Sequence, residues 1–380
     1  MSNTHRADPY FKLLRIVISL LVLFAVCLVG YFLIDSSLQG KYREEQKRIV
    51  DANNAMVQEY NAAVLAQRSQ TQPDAAPVWP QPKAEGIDVV SLKGFAVKGV
   101  DQVSVTRAEA LQGGLLLLNR WHSLPADFSL VENELKSIMD ESGRRVPTTR
   151  QQVSLFPAAI QALDQMITAA KAEGLEDYLV RTGYRSMDTQ AQLWNETSDA
   201  LTAKNARLTG DLLVEEVRKT VAYPGTSDYQ SGLSVEMDVW NQNDPVLKAA
   251  RIHDTVQGQW LVENSWKYGY VFRYPVLNYP LPGTVDKSFK TGINLKIDAY
   301  RFVGVPHATV MHQLDLCLEE YIEYLIENEH AAVYEDGQLK YEIFRVEAAP
   351  GDHVLRLPEG AASYSVSDDN MGGLVVAVTF

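Results

Sequence analysis

The pattern of apolar and polar residues first separates an amino-terminal apolar run from the rest of the chain. Residues 16–34 contain no charged side chain and are long enough to cross a hydrocarbon core of about 30 Å as a helix. Mainly basic residues precede the run, which favours a cytoplasmic tail at 1–15. A cleaved signal peptide has a shorter apolar region, and a buried soluble helix of this length normally carries charges. We therefore predict an uncleaved, single-pass anchor at 16–34, with the main domain extracytoplasmic.

Two polar segments follow this run. Residues 35–68 are rich in helix formers with apolar side chains at roughly helical spacing, which predicts a juxtamembrane helical stalk. Three asparagines, Asn53, Asn54 and Asn61, interrupt the apolar seam that a coiled coil would need. Residues 69–85 are rich in Pro, Gln and Ala and are predicted to form an extended linker.

From residue 86 the pattern changes to short apolar runs typical of a folded domain, predicted to extend over 86–330. Alternating residues at 87–105 favour small strands, and a glycine pair before the apolar residues 115–118 favours a buried strand. Helices are predicted at Pro157 to Ala172, at 188–197, in a segment ending at 220, and at 308–326, with a strand at Tyr178 to Thr182. Helices segregated from short strands indicate the α+β class.

The last segment, residues 331–380, has four alternating runs separated by turn residues. The runs lie at 341–346, 353–357, 364–366 and 374–380. They predict a small C-terminal β appendage that packs onto the main domain.

Composition and charge narrow the range of partners. The net charge of −13 argues against nucleic acid, because phosphate binding requires clustered Lys and Arg. The two cysteines, Cys27 and Cys317, lie in an apolar run and in a helical segment. Neither a disulfide framework nor a cysteine zinc site is expected.

Several separate motifs between about residues 115 and 324 occur in the order of one known family. They are Leu115-Leu-Leu-Leu-Asn119 with Leu124-Pro125, Thr182-Gly-Tyr-Arg-Ser186, Pro224-Gly-Thr-Ser227 with Gly232-Leu233, Tyr268-Gly-Tyr270 with Arg273-Tyr-Pro275, and Arg301-Phe-Val-Gly304. In this order and at these spacings the chain resembles the VanY-type D-alanyl-D-alanine carboxypeptidases, zinc enzymes that trim the stem peptide of bacterial peptidoglycan. The resemblance implies the VanY-like fold.

The same resemblance exposes a departure at the positions that carry the family's chemistry. The family is described as holding zinc with His, Asp and His, and as using a Glu as general base. Tyr229, Glu236 and Ala299 stand at the three ligand positions of this chain, and Lys296 stands at the base position. Asp238, two residues beyond Glu236, is a weak substitute for the carboxylate ligand.

These replacements are unsuited to zinc catalysis. A Tyr phenol with a pKa of about 10 is a poor zinc ligand, and Ala299 has no donor atom. A charged Lys296 cannot accept a proton and would repel a dication. We expect no metal cofactor, and we hypothesise that Lys296 and Glu236 form an ion pair where the metal would lie.

The residues implied to bind substrate are retained. By resemblance, Arg185, Ser186, Gln190 and Ser227 are candidate substrate-binding residues. A planar guanidinium can hold a carboxylate with two hydrogen bonds, which suits Arg185 to this task. The alternative is that Arg185 only ties its loop to the core.

The sequence therefore predicts a membrane-anchored, extracytoplasmic D-alanyl-D-alanine carboxypeptidase-like protein that is catalytically inactive. It would bind peptidoglycan stem peptides or regulate cell-wall processing, with stem peptides or cell-wall proteins as partners. One alternative is an active D-Ala-D-Ala metallocarboxypeptidase with an altered site that still uses zinc. Another is a structural partner in a membrane complex.

Overall fold

A computed structural model of the chain describes Leu14 and residues 17–26, 28–30, 85–293, 296–349 and 351–380. The chain divides into two compact units, Met1–Pro73 and Asp74–Phe380.

In the first unit, residues 17–26 and 28–30 are helical and their apolar side chains are exposed. Within the part of the chain that the structure describes, no helix combines the length and the apolar character needed to cross a membrane. The predicted anchor at 16–34 lies partly outside the described residues. The predicted tail at 1–15, the stalk at 35–68 and the linker at 69–85 lie outside them apart from Leu14 and Glu85.

The second unit is built from short antiparallel strands and from helices. The strands are Ile87–Ser91 (β1), Gly99–Val105 (β2), Lys136–Ser137 (β3), Ser154–Leu155 (β4), Tyr178–Thr182 (β5), Ser234–Val239 (β6), Tyr270–Phe272 (β7), Ala299–Phe302 (β8), His330–Glu335 (β9), Gln338–Glu347 (β10), His353–Pro358 (β11), Ser363–Asp368 (β12) and Gly373–Thr379 (β13).

The helices are Arg107–Leu111, Ile138–Glu141, Pro157–Ala172, Met187–Lys204, Gly210–Arg218, Pro245–Ala249, Val256–Asn264, Ser288–Thr291, Val305–Leu314 and Leu318–Asn328. Together with the sheets they confirm the predicted mixture of helix and sheet. The helix predicted at 188–197 extends over Met187–Lys204, and the one predicted to end at 220 ends at Arg218.

A four-stranded sheet in the order β5-β6-β8-β7 forms the centre of the domain. The helix Pro157–Ala172 packs against it, and both contribute to one core that includes Leu163 and Val235. The bounds of this helix and of β5 coincide with the predicted ones. Proline at the first turn fits the start of the helix, because that position needs no backbone N–H donor.

A second sheet has the order β1-β9-β10-β13-β12 and joins both ends of the folded region. β1 pairs with β9, and β2 pairs separately with β11. The runs predicted at 341–346, 353–357, 364–366 and 374–380 lie in strands apart from Phe380, and β9 adds a further strand. The C-terminal strands therefore share their sheets with strands from residues 87–105.

Residues 115–118 are not the predicted strand, although all four leucines are buried. Side chains, rather than a neighbouring strand, donate hydrogen bonds to the backbone carbonyls of this segment. Arg301 Nη2 donates to the Leu116 carbonyl at 2.9 Å, and Asn370 Nδ2 donates to the Leu117 carbonyl at 2.8 Å. The four leucines form an apolar run because their side chains are buried, as they would be in a buried strand. Their backbone polar groups still need hydrogen-bond partners, and here side chains provide them.

The single helix predicted at 308–326 is two helices, Val305–Leu314 and Leu318–Asn328. Asp315 lies between them with a left-handed backbone, φ 54° and ψ 43°. Left-handed residues end helices, and an Asp adopts this conformation more readily than most residues.

A buried ion network connects these elements beneath the central sheet. Asp228 accepts a hydrogen bond from Arg301 Nη1 at 2.7 Å and from the Ser234 hydroxyl, and Arg273 Nε lies 3.2 Å away. Arg273 also donates to both oxygens of Glu319, at 2.9 and 2.7 Å. Burial alone would raise the pKa of Asp228, but the two arginines hold it below its ordinary value. The carboxylate is therefore ionised inside the core.

We expect Asp228→Asn to lower the free energy of unfolding by about 3–5 kcal/mol, because removing one partner leaves a buried guanidinium uncompensated. Urea denaturation followed by circular dichroism measures this change. Asp164→Asn is the matched control, since Asp164 pairs with the exposed Arg145 at 2.5 Å. That change should cost less than about 1 kcal/mol. Equal effects of the two substitutions would contradict the assignment.

Candidate functional site

The central sheet brings together two of the positions singled out from the sequence, Glu236 and Ala299. In the antiparallel register, Glu236 of β6 lies opposite Thr182 of β5 on one side and Ala299 of β8 on the other. Cross-strand neighbours of this kind have their Cβ atoms about 4.5–5.5 Å apart. The carboxylate of Glu236 is thus fixed between two strands that are distant in sequence.

A short turn at Asp228–Ser231 places Tyr229 beside this sheet. Gln230 Oε1 accepts a hydrogen bond from the Gly225 N–H at 2.7 Å, which closes the loop before the turn. Gly232 ends the turn with φ 71°, and a Cβ atom there would lie 2.7 Å from Leu135. Glycine therefore satisfies both the left-handed backbone and the close packing.

Tyr229 fills the space next to Ala299. Its side chain is only 4% exposed and forms a small apolar cluster with Tyr274 and Ala299, against which Ile293 packs. The Arg185 guanidinium lies 4.2 Å from the centroid of the Tyr229 ring, a cation–π contact. The backbone N–H of Arg185 also donates a hydrogen bond to the backbone carbonyl of Tyr229 at 3.1 Å. The two residues are therefore held together by both backbone and side chain.

Burial raises the pKa of the Tyr229 phenol well above its ordinary value, and the nearby charge of Glu236 raises it further. The phenol is consequently neutral at physiological pH. It can donate a hydrogen bond, but it lacks the negative charge that makes a phenolate a metal ligand.

Glu236 accepts hydrogen bonds from two side chains and pairs with a third. Its carboxylate lies 2.8 Å from Thr182 Oγ1, 2.9 Å from Arg185 Nη2 and 2.5 Å from Lys296 Nζ. The ion pair hypothesised between Lys296 and Glu236 is present. Burial would raise the pKa of Glu236, but the charges of Lys296 and Arg185, with hydrogen bonds from Lys296 and Thr182, lower it to about 2.

Further charges extend this arrangement away from the cleft. Lys296 Nζ lies 3.3 Å from Asp298, and Asp298 accepts a hydrogen bond from Arg181 at 2.8 Å. Asp238 lies 3.4 Å from the same Arg181. Asp238, the weak substitute ligand, is thus paired outside the cleft.

An open cleft of about 250 Å³ lies in front of these residues. Its charged lining consists of Arg185, Lys296 and Glu236, two cations and one anion. One wall is apolar and includes Leu193 and Val221. The cleft is suited to an anionic group that carries a small apolar side chain.

The four predicted substrate-binding residues are placed differently. Arg185 and Ser227 line the cleft. The Ser186 hydroxyl caps the helix Met187–Lys204 by accepting from the Thr189 N–H at 3.2 Å. Gln190 is fully buried and donates to the Ala222 carbonyl at 2.8 Å. Roles in binding for Ser186 and Gln190 remain predictions, whereas their structural contacts are evident.

Sequence reasoning missed Thr182 as a partner of Glu236 and missed Asp298 and Arg181 as neighbours of Lys296. The signal for Thr182 is that it immediately precedes the Gly-Tyr-Arg-Ser motif at the end of a strand. Only the pairing register assigns it to Glu236, and the register depends on contacts between distant segments.

The donor set does not fit a catalytic zinc ion. Such a site needs three nitrogen, oxygen or sulfur ligands and an open fourth position. Ala299 offers none, the Tyr229 phenol is neutral, and Lys296 places a cation 2.5 Å from the remaining carboxylate. Throughout residues 85–293, 296–349 and 351–380, no three His, Cys, Asp or Glu side chains are grouped so that they could hold a metal ion.

Comparisons with known proteins agree with the fold. Residues 152–282 match the VanY family model, described as D-alanyl-D-alanine carboxypeptidase. The chain is 26% identical over 284 residues to a D-alanyl-D-alanine carboxypeptidase of Enterococcus faecium, covering 74% of this chain and 80% of that protein. It is 30% identical over 210 residues to YodJ of Bacillus subtilis (strain 168), covering 55% of this chain and 67% of YodJ.

Among solved structures, the chain is similar to the vancomycin-resistance D,D-dipeptidase VanXYg in complex with a D-Ala-D-Ala phosphinate analogue. The TM-score is 0.56 at 21% identity, over 74% of this chain and 99% of VanXYg. At this identity the likeness supports a shared fold.

We expect Glu236→Gln to lower the free energy of unfolding at pH 7 by roughly 3–4 kcal/mol, since one pKa unit corresponds to about 1.4 kcal/mol. The folded pKa of about 2 lies below the ordinary value of 4.5. The stabilisation is therefore complete above pH 4.5 and is lost as the pH falls towards 2. Urea denaturation of both proteins between these limits should show the difference shrinking.

Glu263→Gln serves as the control, because the Glu263 carboxylate accepts its hydrogen bond from a neutral side chain, that of Gln259, at 3.0 Å. It should change stability by less than about 0.5 kcal/mol. A Glu236→Gln effect that stayed constant with pH would contradict the ion-pair origin.

Proposed function

Because the chain belongs to the VanY family of D-alanyl-D-alanine carboxypeptidases, we propose that it is a family member that has lost catalysis and kept ligand binding. Its ligand would be a peptide ending in D-Ala-D-Ala, of the kind found in peptidoglycan stems. By binding such ends it would act as a receptor or regulator in cell-wall processing.

The contact between Lys296 and Glu236 carries the first half of this proposal. The Lys296 ammonium group lies 2.5 Å from the Glu236 carboxylate and neutralises the charge of the group that would otherwise bind a metal. A zinc-activated water needs both the metal and a base, and a charged Lys296 provides neither. Proteins that share a fold can differ in their chemistry. Membership of the family therefore does not by itself make this chain an active peptidase.

The lining of the cleft supports the second half. Arg185 is mostly buried yet lines the open cleft, with one terminal nitrogen bound to Glu236. A guanidinium in this position can bind a terminal carboxylate, and partial burial strengthens the interaction by reducing screening by water. The apolar wall at Leu193, Val221 and Ala222 is suited to the methyl group of an alanine.

A direct experiment measures zinc, turnover and binding on the same protein. We expect less than 0.1 equivalent of bound zinc after dialysis and, with added zinc, no release of D-alanine from a pentapeptide ending in D-Ala-D-Ala. Calorimetry should still detect binding of that peptide. Arg185→Ala should raise its Kd about ten- to a hundredfold, because a hydrogen bond to a charged group contributes about 1.5–3 kcal/mol.

Arg145→Ala is the matched control, since Arg145 also pairs with a carboxylate but lies on the surface. One equivalent of zinc with turnover would reject the proposal in favour of an active carboxypeptidase with an altered site. Absence of peptide binding by the unaltered protein would favour the structural-partner alternative.

We further propose that residues 16–34 anchor the protein in the membrane, with the domain outside the cytoplasm. The uncharged apolar run and the basic residues before it support this proposal. The full chain should stay with membranes after alkaline carbonate extraction, and deletion of residues 1–34 should release the remainder. Extraction of the full chain by carbonate would contradict the anchor.

A further inference from the structure

The Tyr229 hydroxyl differs from the hydroxyls of two other buried tyrosines, Tyr178 and Tyr270. The Tyr178 hydroxyl donates to the Gln257 carbonyl at 3.1 Å, and the Tyr270 hydroxyl donates to the Ala159 carbonyl at 2.8 Å. No described residue accepts a hydrogen bond from Tyr229, although its oxygen is buried. Buried phenol groups nearly always have a partner, because leaving one unpaired is unfavourable. An unpaired hydroxyl at this position therefore requires a reason.

The surroundings of Tyr229 make an internal partner hard to reach. The Glu236 carboxylate, which lines the cleft, already accepts hydrogen bonds from Thr182 and Arg185 and pairs with Lys296. The ring is fixed by Tyr274 and Ala299 on one side and by the Arg185 guanidinium 4.2 Å from its centroid. The side chain cannot rotate towards a new partner without breaking these contacts.

Tyr229 also belongs to the lining of the 250 Å³ cleft, together with Arg185 and Lys296. The Lys296 ammonium lies 5.7 Å from the ring centroid. A ligand oxygen that enters between these groups would meet two cations and a neutral donor. Hydrogen bonds to an ionised acceptor are about twice as strong as those between neutral groups.

We propose that the Tyr229 hydroxyl donates a hydrogen bond to the terminal carboxylate of the bound peptide and sets the preference for a free carboxyl terminus. This inference rests on the proposed function and adds to it a residue specific to this chain. The Tyr229 hydroxyl oxygen is buried before the ligand arrives, so its hydrogen bond to the ligand requires the cleft side chains that cover it to move aside.

Tyr229→Phe tests the inference, because it keeps the ring and its contact with Arg185 and removes only the hydroxyl. We expect the Kd for a pentapeptide ending in free D-Ala-D-Ala to rise five- to tenfold by calorimetry. For the same peptide ending in a carboxamide, the effect of the substitution should fall below twofold. In the absence of peptide, the urea midpoint of Tyr229→Phe should equal or exceed that of the unaltered protein.

Tyr270→Phe is the control, since its hydroxyl has a partner in the core. It should lower the urea midpoint and leave the Kd unchanged. An unchanged Kd in Tyr229→Phe, or an equal loss with the carboxamide peptide, would overturn the inference. So would a lowered urea midpoint without peptide, which would reveal an internal partner.

The unaltered protein and Arg185→Ala separate this inference from the proposed function. If the unaltered protein binds the peptide, Arg185→Ala weakens binding and Tyr229→Phe does not, only the role of Tyr229 is rejected. If the unaltered protein does not bind the peptide at all, both the proposed function and this inference are rejected.

Discussion

The buried carboxylate of Asp228 is the constraint on which the rest of the domain depends. It fixes the turn that carries Tyr229 against Arg301 of β8, and Arg273 extends the connection to the helix Leu318–Asn328 through Glu319. Arg301 in turn holds the backbone of residues 114–118. Elements from four distant parts of the chain meet at charges that cannot move independently, because each would be left unpaired in the core.

In the cleft, the carboxylate of Glu236 is paired with a cation that the chain itself supplies. By resemblance, Glu236 stands at a position where the VanY-type enzymes carry a metal ligand, and its carboxylate faces a cation. The cation is now the chain's own Lys296, positioned by Glu236 and Asp298. An internal ammonium balances the local charge as a metal would, but it has no coordination position for water.

The sequence predicted local structure well and tertiary partners poorly. Residues within the helix Pro157–Ala172 determine its start and its apolar stripe, and its predicted bounds agree with the structure. The leucines at 115–118 were predicted as a strand because burial alone produces an apolar run. Thr182 could not be assigned to Glu236, because sheet register depends on residues more than 50 positions apart. The positions of the candidate site came from family resemblance, and their contacts came only from the structure.

The packing of Tyr229 against Ala299 links the choice of side chain at these two positions. Ala299 is 1% exposed and leaves room for the large ring beside it. A histidine at position 299 would collide with that ring, whereas a histidine at 229 would leave a void over Ala299. Each single substitution is therefore disfavoured unless the other accompanies it. Positions 229 and 299 therefore form one packing unit, and introducing two histidine ligands into this cleft would require changing both positions together.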